Sequence, residues 1–92
     1  ISFGDSGLYN NISGSKNIGI GSLTLSSLSS GDSNTAIGYK SGYNSTTSLS
    51  SISNSTFIGY QTTSTVNNIT NSTAIGNGAT ITASNQIVFG NS

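Results

Sequence analysis

The sequence predicts an all-β protein, a parallel β-solenoid of about five to six short rows. A branched or aromatic apolar residue precedes glycine six times in 92 residues, and successive glycines lie 17, 17, 21, 17 and 14 residues apart. This period is too short for repeated helical hairpins and suits one turn of a β-coil. The six pairs are Phe3-Gly4, Ile20-Gly21, Ile37-Gly38, Ile58-Gly59, Ile75-Gly76 and Phe89-Gly90.

Alignment of the rows on their glycines gives each column a structural role, because strand side chains alternate between two faces. The residue before the glycine is always large and apolar, so we expect this column to face the interior of the coil. The position before it is mostly small, except at Phe57 and Val88, and we expect that face to lie close to a neighbouring surface. One position earlier still, every residue is β-branched, which favours a strand. This column contains Ile1, Ile18, Thr35, Thr56, Thr73 and Ile87.

The glycines have two structural interpretations. Glycine adopts positive φ at a corner, and it lets a second backbone approach where no Cβ fits. A phosphate-binding loop would instead cluster its glycines between a strand and a helix, and the segments 19–21 and 76–78 do not match those motifs. We therefore expect no nucleotide cofactor.

Each row also contains a second, looser segment that we expect to form further strands. These segments are Leu25 to Leu28, Thr46 to Ile52, Val66 to Ile69 and Thr80 to Thr82. The row from Asn34 to Asn54 is longer than its neighbours, and we expect the excess to form a loop at about residues 45–53. In the shortest full row, from Ser72 to Asn85, the dipeptide Asn77-Gly78 predicts a tight turn.

The composition is consistent with one ordered repeat segment. Serine, threonine and asparagine occupy 45 of 92 positions, which is also typical of disordered linkers, but the chain is neutral and its apolar residues are periodic. We expect residues 1–92 to form a single domain from a longer fibrous protein. Thin rows with only 21 Ile, Leu, Val and Phe side chains cannot close their own core, so we expect self-association.

Several rows resemble two known families. Residues 34–38 (Asn-Thr-Ala-Ile-Gly) and 72–76 (Ser-Thr-Ala-Ile-Gly), with Ala79 three residues after the second glycine, resemble the SxAIGxxA rows of YadA-like heads in trimeric autotransporter adhesins. Residues 34–40 (Asn-Thr-Ala-Ile-Gly-Tyr-Lys) are similar to the NTAIGYxA repeats in fibres of phages and large DNA viruses. Both resemblances imply parallel β-rolls or β-helices assembled as homotrimers. The motifs are short, so they imply architecture rather than function.

The sequence departs from the adhesin pattern in two respects. Adhesin rows are shorter than the 17-residue spacing that dominates here, and alanine follows the glycine by three residues only at Ala79. The equivalent positions in the other rows are Gly7, Thr24, Ser41 and Thr62. Viral repeats, which are rich in Asn, Thr and Tyr, are more similar, so we favour a viral or phage fibre over an adhesin head.

The side-chain inventory argues against catalysis and most ligand chemistry. The sequence has no His or Cys, and its only charged side chains are Asp5, Asp32, Lys16 and Lys40. General acid–base catalysis, serine activation and zinc or calcium binding need groups that are missing or isolated here. We therefore expect no enzyme activity, no cofactor and no metal. The zero net charge argues against nucleic acid, and the short apolar runs argue against membrane insertion.

Surface recognition is the function that the residues allow. Tyr39-Lys40 and Tyr60-Gln61 follow their glycines at equivalent positions in adjacent rows, and Tyr43 lies nearby. Aromatic faces with polar neighbours suit sugar rings, so we take Tyr39, Lys40, Tyr43, Tyr60 and Gln61 as candidate glycan contacts. The alternative is that these tyrosines only cover the corners of the coil.

Three functions follow as hypotheses. The first is a trimeric structural fibre on a virion or phage tail, which contributes to attachment to host glycans. The second is the head of a bacterial surface adhesin. Both hypotheses place the protein on a virion surface or outside a cell. The third is an ice-binding solenoid. We rank it last because a flat Thr-x-Thr face is required, and only residues 63–65 and 80–82 supply that pattern.

Overall fold

The computed structural model describes residues 1–43 and 51–91. Within these ranges the protein is all-β, with parallel strands wound into a β-solenoid of about five turns and no helix. The predicted fold class is therefore confirmed. The coil measures 32 × 22 × 22 Å. None of the segments in these ranges forms a helix long and apolar enough to cross a membrane.

In the described residues, eight short strands form two parallel sheets. Strands β1, β2, β3, β4, β6 and β8 form the larger sheet in that order, and β5 pairs with β7. The strands are β1 (Ser2–Phe3), β2 (Ile18–Ile20), β3 (Thr35–Ile37), β4 (Thr56–Ile58), β5 (Thr63–Ser64), β6 (Thr73–Ile75), β7 (Thr80–Ile81) and β8 (Ile87–Phe89). Neighbouring strands of the large sheet come from successive rows of the repeat.

The strand register follows the glycine alignment. Thr35 pairs with Thr56, and Ile58 pairs with Ile75, so each column of the repeat is a column in space. The ladder continues at the glycines, where the N–H of Gly38 donates to the carbonyl of Ile20 at 2.8 Å. Equivalent bonds at Gly21, Gly59, Gly76 and Gly90 measure 2.7 to 2.9 Å. Differences in row length are therefore accommodated outside the large sheet.

The residue before each glycine points out of the coil, and the expectation that this column is interior is wrong. In β3, Ile37 is 38% exposed and its neighbour Ala36 is fully buried. Large apolar residues are common on protein surfaces, so size and apolarity did not identify the buried face. We call the exposed column the outer stripe; it consists of Phe3, Ile20, Ile37, Ile58, Ile75 and Phe89.

The mostly small column faces the interior of the coil. Phe57 is completely buried, and its register partners in the adjacent rows are Ala36 and Ala74. A large ring therefore lies between two rows that leave space for it, which explains why this column tolerates one bulky residue. The rest of the buried core consists of Leu25, Leu28, Ile52, Ile69, Ala79 and Ile81, with Leu8 and Val88 packed against it.

The glycines meet both structural requirements suggested by the sequence. Gly38 has φ of +122°, and a Cβ placed on it would lie 2.7 Å from the carbonyl oxygen of Gly59 in the next row. Gly4, Gly21 and Gly59 have similar φ values and similarly close backbone neighbours. A side chain at these positions would strain the backbone and push the rows apart.

The second segments of the rows were predicted with mixed success. Thr80–Ile81 forms a strand as predicted, but its partner is Thr63–Ser64 instead of a strand at residues 66–69. Residues 25–28 form turns because backbone hydrogen bonds there close locally, as between Leu28 N–H and the Leu25 carbonyl. Residues 44–50, which include most of the loop expected at about residues 45–53, lie outside the described residues. Near the end of that expected loop, Ile52 is buried in the core.

Candidate functional site

The outer stripe is the main candidate surface. Its side chains stand on one face of the large sheet, stacked in register from β1 to β8. Ile20, Ile37 and Ile58 are each between one-third and two-fifths exposed, and Phe3 and Phe89 are more exposed still. A continuous apolar face of this kind is typical of an interface rather than of a free surface.

Three of the four tyrosines, Tyr39, Tyr43 and Tyr60, form a cluster with Lys40. The rings of Tyr39 and Tyr60 stack with centroids 5.7 Å apart and planes inclined by 23°. Nζ of Lys40 lies 5.4 Å from the Tyr39 ring centroid and 6.0 Å from that of Tyr43. The structure therefore brings together Tyr39, Lys40, Tyr43 and Tyr60. Stacked rings and a cation over an aromatic face stabilise each other, so these contacts also serve the fold.

Gln61, the fifth candidate glycan contact, has a backbone role. It is exposed and adopts a left-handed conformation with φ of +55°. Lys40, in the equivalent position of the preceding row, has φ of +56°, and the N–H of Gln61 donates to the carbonyl of Tyr39 at 2.9 Å. The corner geometry therefore fixes where the neighbouring tyrosines point.

A buried polar ladder, which was not predicted from the sequence, lies just before the strands. The Oδ1 of Asn17 accepts hydrogen bonds from the backbone N–H of Asn34 at 3.0 Å and from its Nδ2 at 3.1 Å. In turn, Oδ1 of Asn34 accepts from the N–H of Ser55 at 3.0 Å. Ser72 continues the column, where its N–H donates to Oγ of Ser55. In the sequence, this ladder is marked by an asparagine or serine four residues before the glycine of each of these rows.

A second set of hydroxyls closes the corner after the glycine. Oγ of Ser41 donates to the carbonyl of Phe57 at 2.7 Å and lies 2.7 Å from Oγ1 of Thr62. Ser41, Thr62 and Thr24 are all buried. These side chains occupy the position that alanine fills in the resembled adhesin rows. They are satisfied within the coil and therefore are part of its scaffold.

Two Thr-x-Thr segments lie side by side in the smaller sheet. Thr63 of β5 pairs with Thr80 of β7, and Ser64 and Ile81 between the threonines are buried. Thr65 and Thr82 are exposed. The threonines of the two rows therefore share the outer face, but the paired patch is only two rows wide.

Ionisable side chains do not converge in the described part of the chain. No group of three or more His, Cys, Asp or Glu residues occurs there. Asp32 is used locally, because its Oδ1 accepts a hydrogen bond from the N–H of Ser15 at 2.7 Å. Asp5 accepts from the neighbouring Ser6 hydroxyl at 3.4 Å.

Comparison of the chain with models of protein families, with curated proteins and with solved structures finds no match.

Proposed function

We propose that this chain is a structural segment of a trimeric fibre, on a virion or phage tail, that contributes to attachment to the host surface. The observation that carries the proposal is the outer stripe. Six large apolar side chains lie in register on the outer face of the coil, while the interior is filled by other residues. Burial of such a ladder between copies of the chain removes apolar surface from water, at about 25 cal/mol per Å².

Three copies around one axis suit this geometry. The stripe runs along a single face of the sheet, so a closed ring in which each copy presents the same face would cover it. The resemblance of residues 34–40 and 72–76 to trimeric fibre and adhesin rows supports three copies. In such an assembly the axis of the coil becomes the axis of a rod, whose length grows with the number of rows.

Attachment is proposed for the surface that such a ring leaves outside. The tyrosine cluster at Tyr39, Tyr43 and Tyr60 offers aromatic faces beside polar groups, which suits sugar rings. A fibre with this role belongs on a virion surface or in another extracellular setting. Its partners are further copies of the chain and a host glycan.

Two single-cysteine variants test the interface. The chain has no native cysteine, and Ile58 and Val66 are almost equally exposed, at 36% and 39%. Only Ile58 belongs to the outer stripe. We expect the Ile58→Cys thiol to react slowly with a maleimide in the native protein and rapidly in denaturant, whereas the Val66→Cys thiol reacts rapidly in both. Equal native rates would overturn the proposal.

The head of a bacterial trimeric adhesin is the second candidate, because the same stripe and the same resemblance support it. The two settings differ in the sequence that flanks the repeats. A coiled-coil stalk and a C-terminal membrane-anchor strand indicate an adhesin, whereas further fibre repeats or an intramolecular chaperone indicate a viral fibre. Determination of the parent reading frame separates them.

Ice binding is the third candidate, and the paired Thr-x-Thr segments of β5 and β7 support it. Ice-binding faces depend on a wide array of regularly spaced threonines, whereas the paired array here contains only Thr63, Thr65, Thr80 and Thr82. Thermal hysteresis of the purified chain tests this function. Hysteresis that disappears in Thr65→Leu would replace the fibre proposal, and its absence would remove the ice-binding candidate.

A further inference from the structure

We infer that a groove on the first three rows is a binding site for a neutral saccharide of one or two rings. This site is distinct from the stacked pair Tyr39 and Tyr60. The groove has a volume of about 250 Å³. Its lining consists of Ser6, Tyr9, Asn10, Leu23, Ser26 and Tyr43. The inference rests on the proposed attachment role and names the ligand class and the place.

The groove arises from the repeat itself. Tyr9, Ser26 and Tyr43 each follow their row's glycine by five residues, so they occupy one column in three successive rows. Backbone hydrogen bonds beside this column hold the three rows together. The N–H of Leu8 donates to the carbonyl of Thr24 at 2.8 Å, and the N–H of Leu25 donates to the carbonyl of Ser41 at 2.9 Å. Because parallel strands lie about 4.8 Å apart, the two tyrosines are about 9.5 Å apart along the coil. The small serine between them leaves a notch.

Polar groups are available at the bottom of this notch. Ser26 is only 5% exposed and lines the groove together with Ser6 and Asn10. Nδ2 of Asn10 donates to the Ser26 carbonyl at 2.7 Å, which fixes the amide at the edge of the groove. Hydroxyl and amide groups that line a groove can donate to and accept from the hydroxyls of a sugar.

The walls of the groove select the class of ligand. Tyr9 is 75% exposed and presents an aromatic surface at one end, and Tyr43 presents another at the opposite end. Leu23 adds an apolar patch, and none of the lining residues that the structure describes is charged. Apolar faces with hydroxyl and amide groups between them match the alternating C–H faces and hydroxyl rims of a sugar. The volume is slightly below the range of about 300–1,000 Å³ typical of small-molecule sites, so it suits one or two rings.

The test uses the whole chain and NMR titration with methyl β-glucopyranoside, methyl α-mannopyranoside, lactose and sialyllactose. We expect at least one of the neutral sugars to shift the amide signals of Ser26 and Tyr43. Tyr9→Ala should weaken that binding by about five- to tenfold, the change expected when one aromatic contact is lost. Val66→Ala is the control, because Val66 is also an exposed side chain but lies outside the groove and outside the tyrosine cluster, and it should leave the affinity unchanged.

Three results would overturn the inference. They are the absence of shifts with any neutral sugar, the loss of binding in Val66→Ala but not in Tyr9→Ala, and shifts with sialyllactose alone. Shift mapping on the unmodified protein does not depend on how well a variant folds. A trimer that binds none of these sugars would refute the groove and leave the fibre intact. A monomer that binds sugar through Tyr9 would refute the fibre and leave the groove intact.

Discussion

Asn34 and Ser55 occupy the same position in consecutive rows, and Oδ1 of Asn34 accepts the backbone N–H of Ser55 at 3.0 Å. Asn34 is completely buried, and its Nδ2 donates to the side chain of Asn17 and to the carbonyl of Ile52. One amide therefore ties together three levels of the coil. It satisfies backbone groups where the strand ladder has not yet begun, which a buried segment requires.

Replacement of this amide should be costly. We expect Asn34→Ala to lower the free energy of unfolding by about 2–4 kcal/mol, because the buried N–H of Ser55 and carbonyl of Ile52 both lose a partner. The measurement is chemical denaturation at fixed chain concentration. Asn77→Ala is the matched control: Asn77 is exposed, and its replacement should change stability by less than about 0.5 kcal/mol. Equal effects of the two variants would contradict the ladder.

Adjacent residues of β3 should respond oppositely to the same substitution. Ala36→Lys places a charge in the closed interior and should abolish the β-sheet signal in far-ultraviolet circular dichroism. Ile37→Lys places the charge on the outer face, so the chain should keep its β-sheet signal but lose self-association. Loss of the signal in Ile37→Lys with retention in Ala36→Lys would reverse our assignment of the two faces.

The glycine column should tolerate alanine only where the neighbouring backbone is distant. At Gly38 the close approach of Gly59 and the φ of +122° should make Gly38→Ala destabilising by more than about 2 kcal/mol. At Gly90 φ is +75° and no heavy atom lies within 4 Å of the added Cβ, so Gly90→Ala should cost about 1 kcal/mol or less. Thermal unfolding of the two variants gives the comparison, and equal losses would argue against close row contact.

A glycine substitution at a corner with left-handed backbone conformation should stabilise the coil. Gln61 has φ of +55°, and the equivalent residue of the next row is Gly78, with φ of +71°. We expect Gln61→Gly to raise stability by about 0.5–1 kcal/mol, because the steric cost of a Cβ in this region is removed. Gln61→Ala keeps the Cβ and should bring no gain. A loss of stability in Gln61→Gly would show that the Gln61 side chain holds the corner.

The solenoid could be predicted from the sequence because the glycine period is visible without any long-range information. The register of β3 on β4 follows directly from the alignment of Ile37 with Ile58. The two faces could not be assigned in the same way, since both carry apolar residues. A thin coil leaves little room behind most strands of the large sheet, so in β3 Ala36 faces the interior and Ile37 is left outside. The alternation of side chains along the row predicted a strand. Which face of that strand is buried depends on the small volume enclosed by the coil, and the alternation does not show that volume.

The candidate site could be predicted in part for a similar reason. Equal offsets from the glycine placed Tyr39 and Tyr60 beside each other, and the rings do stack. The groove between Tyr9 and Tyr43 escaped notice because its decisive feature is the small Ser26 of the intervening row. Nothing in the composition distinguishes that serine from the other twenty in the chain. Ser26 matters because the larger side chains of Tyr9 and Tyr43 lie in the same column, one row to either side of it.

The proposed fibre requires that copies of this chain bury the outer stripe against one another. Multi-angle light scattering of the unmodified chain, over a range of concentrations, measures this association. We predict the mass of three 9.2-kDa chains, together with a β-rich circular dichroism spectrum. A folded, β-rich species that keeps the mass of a single chain at every concentration would contradict the claim.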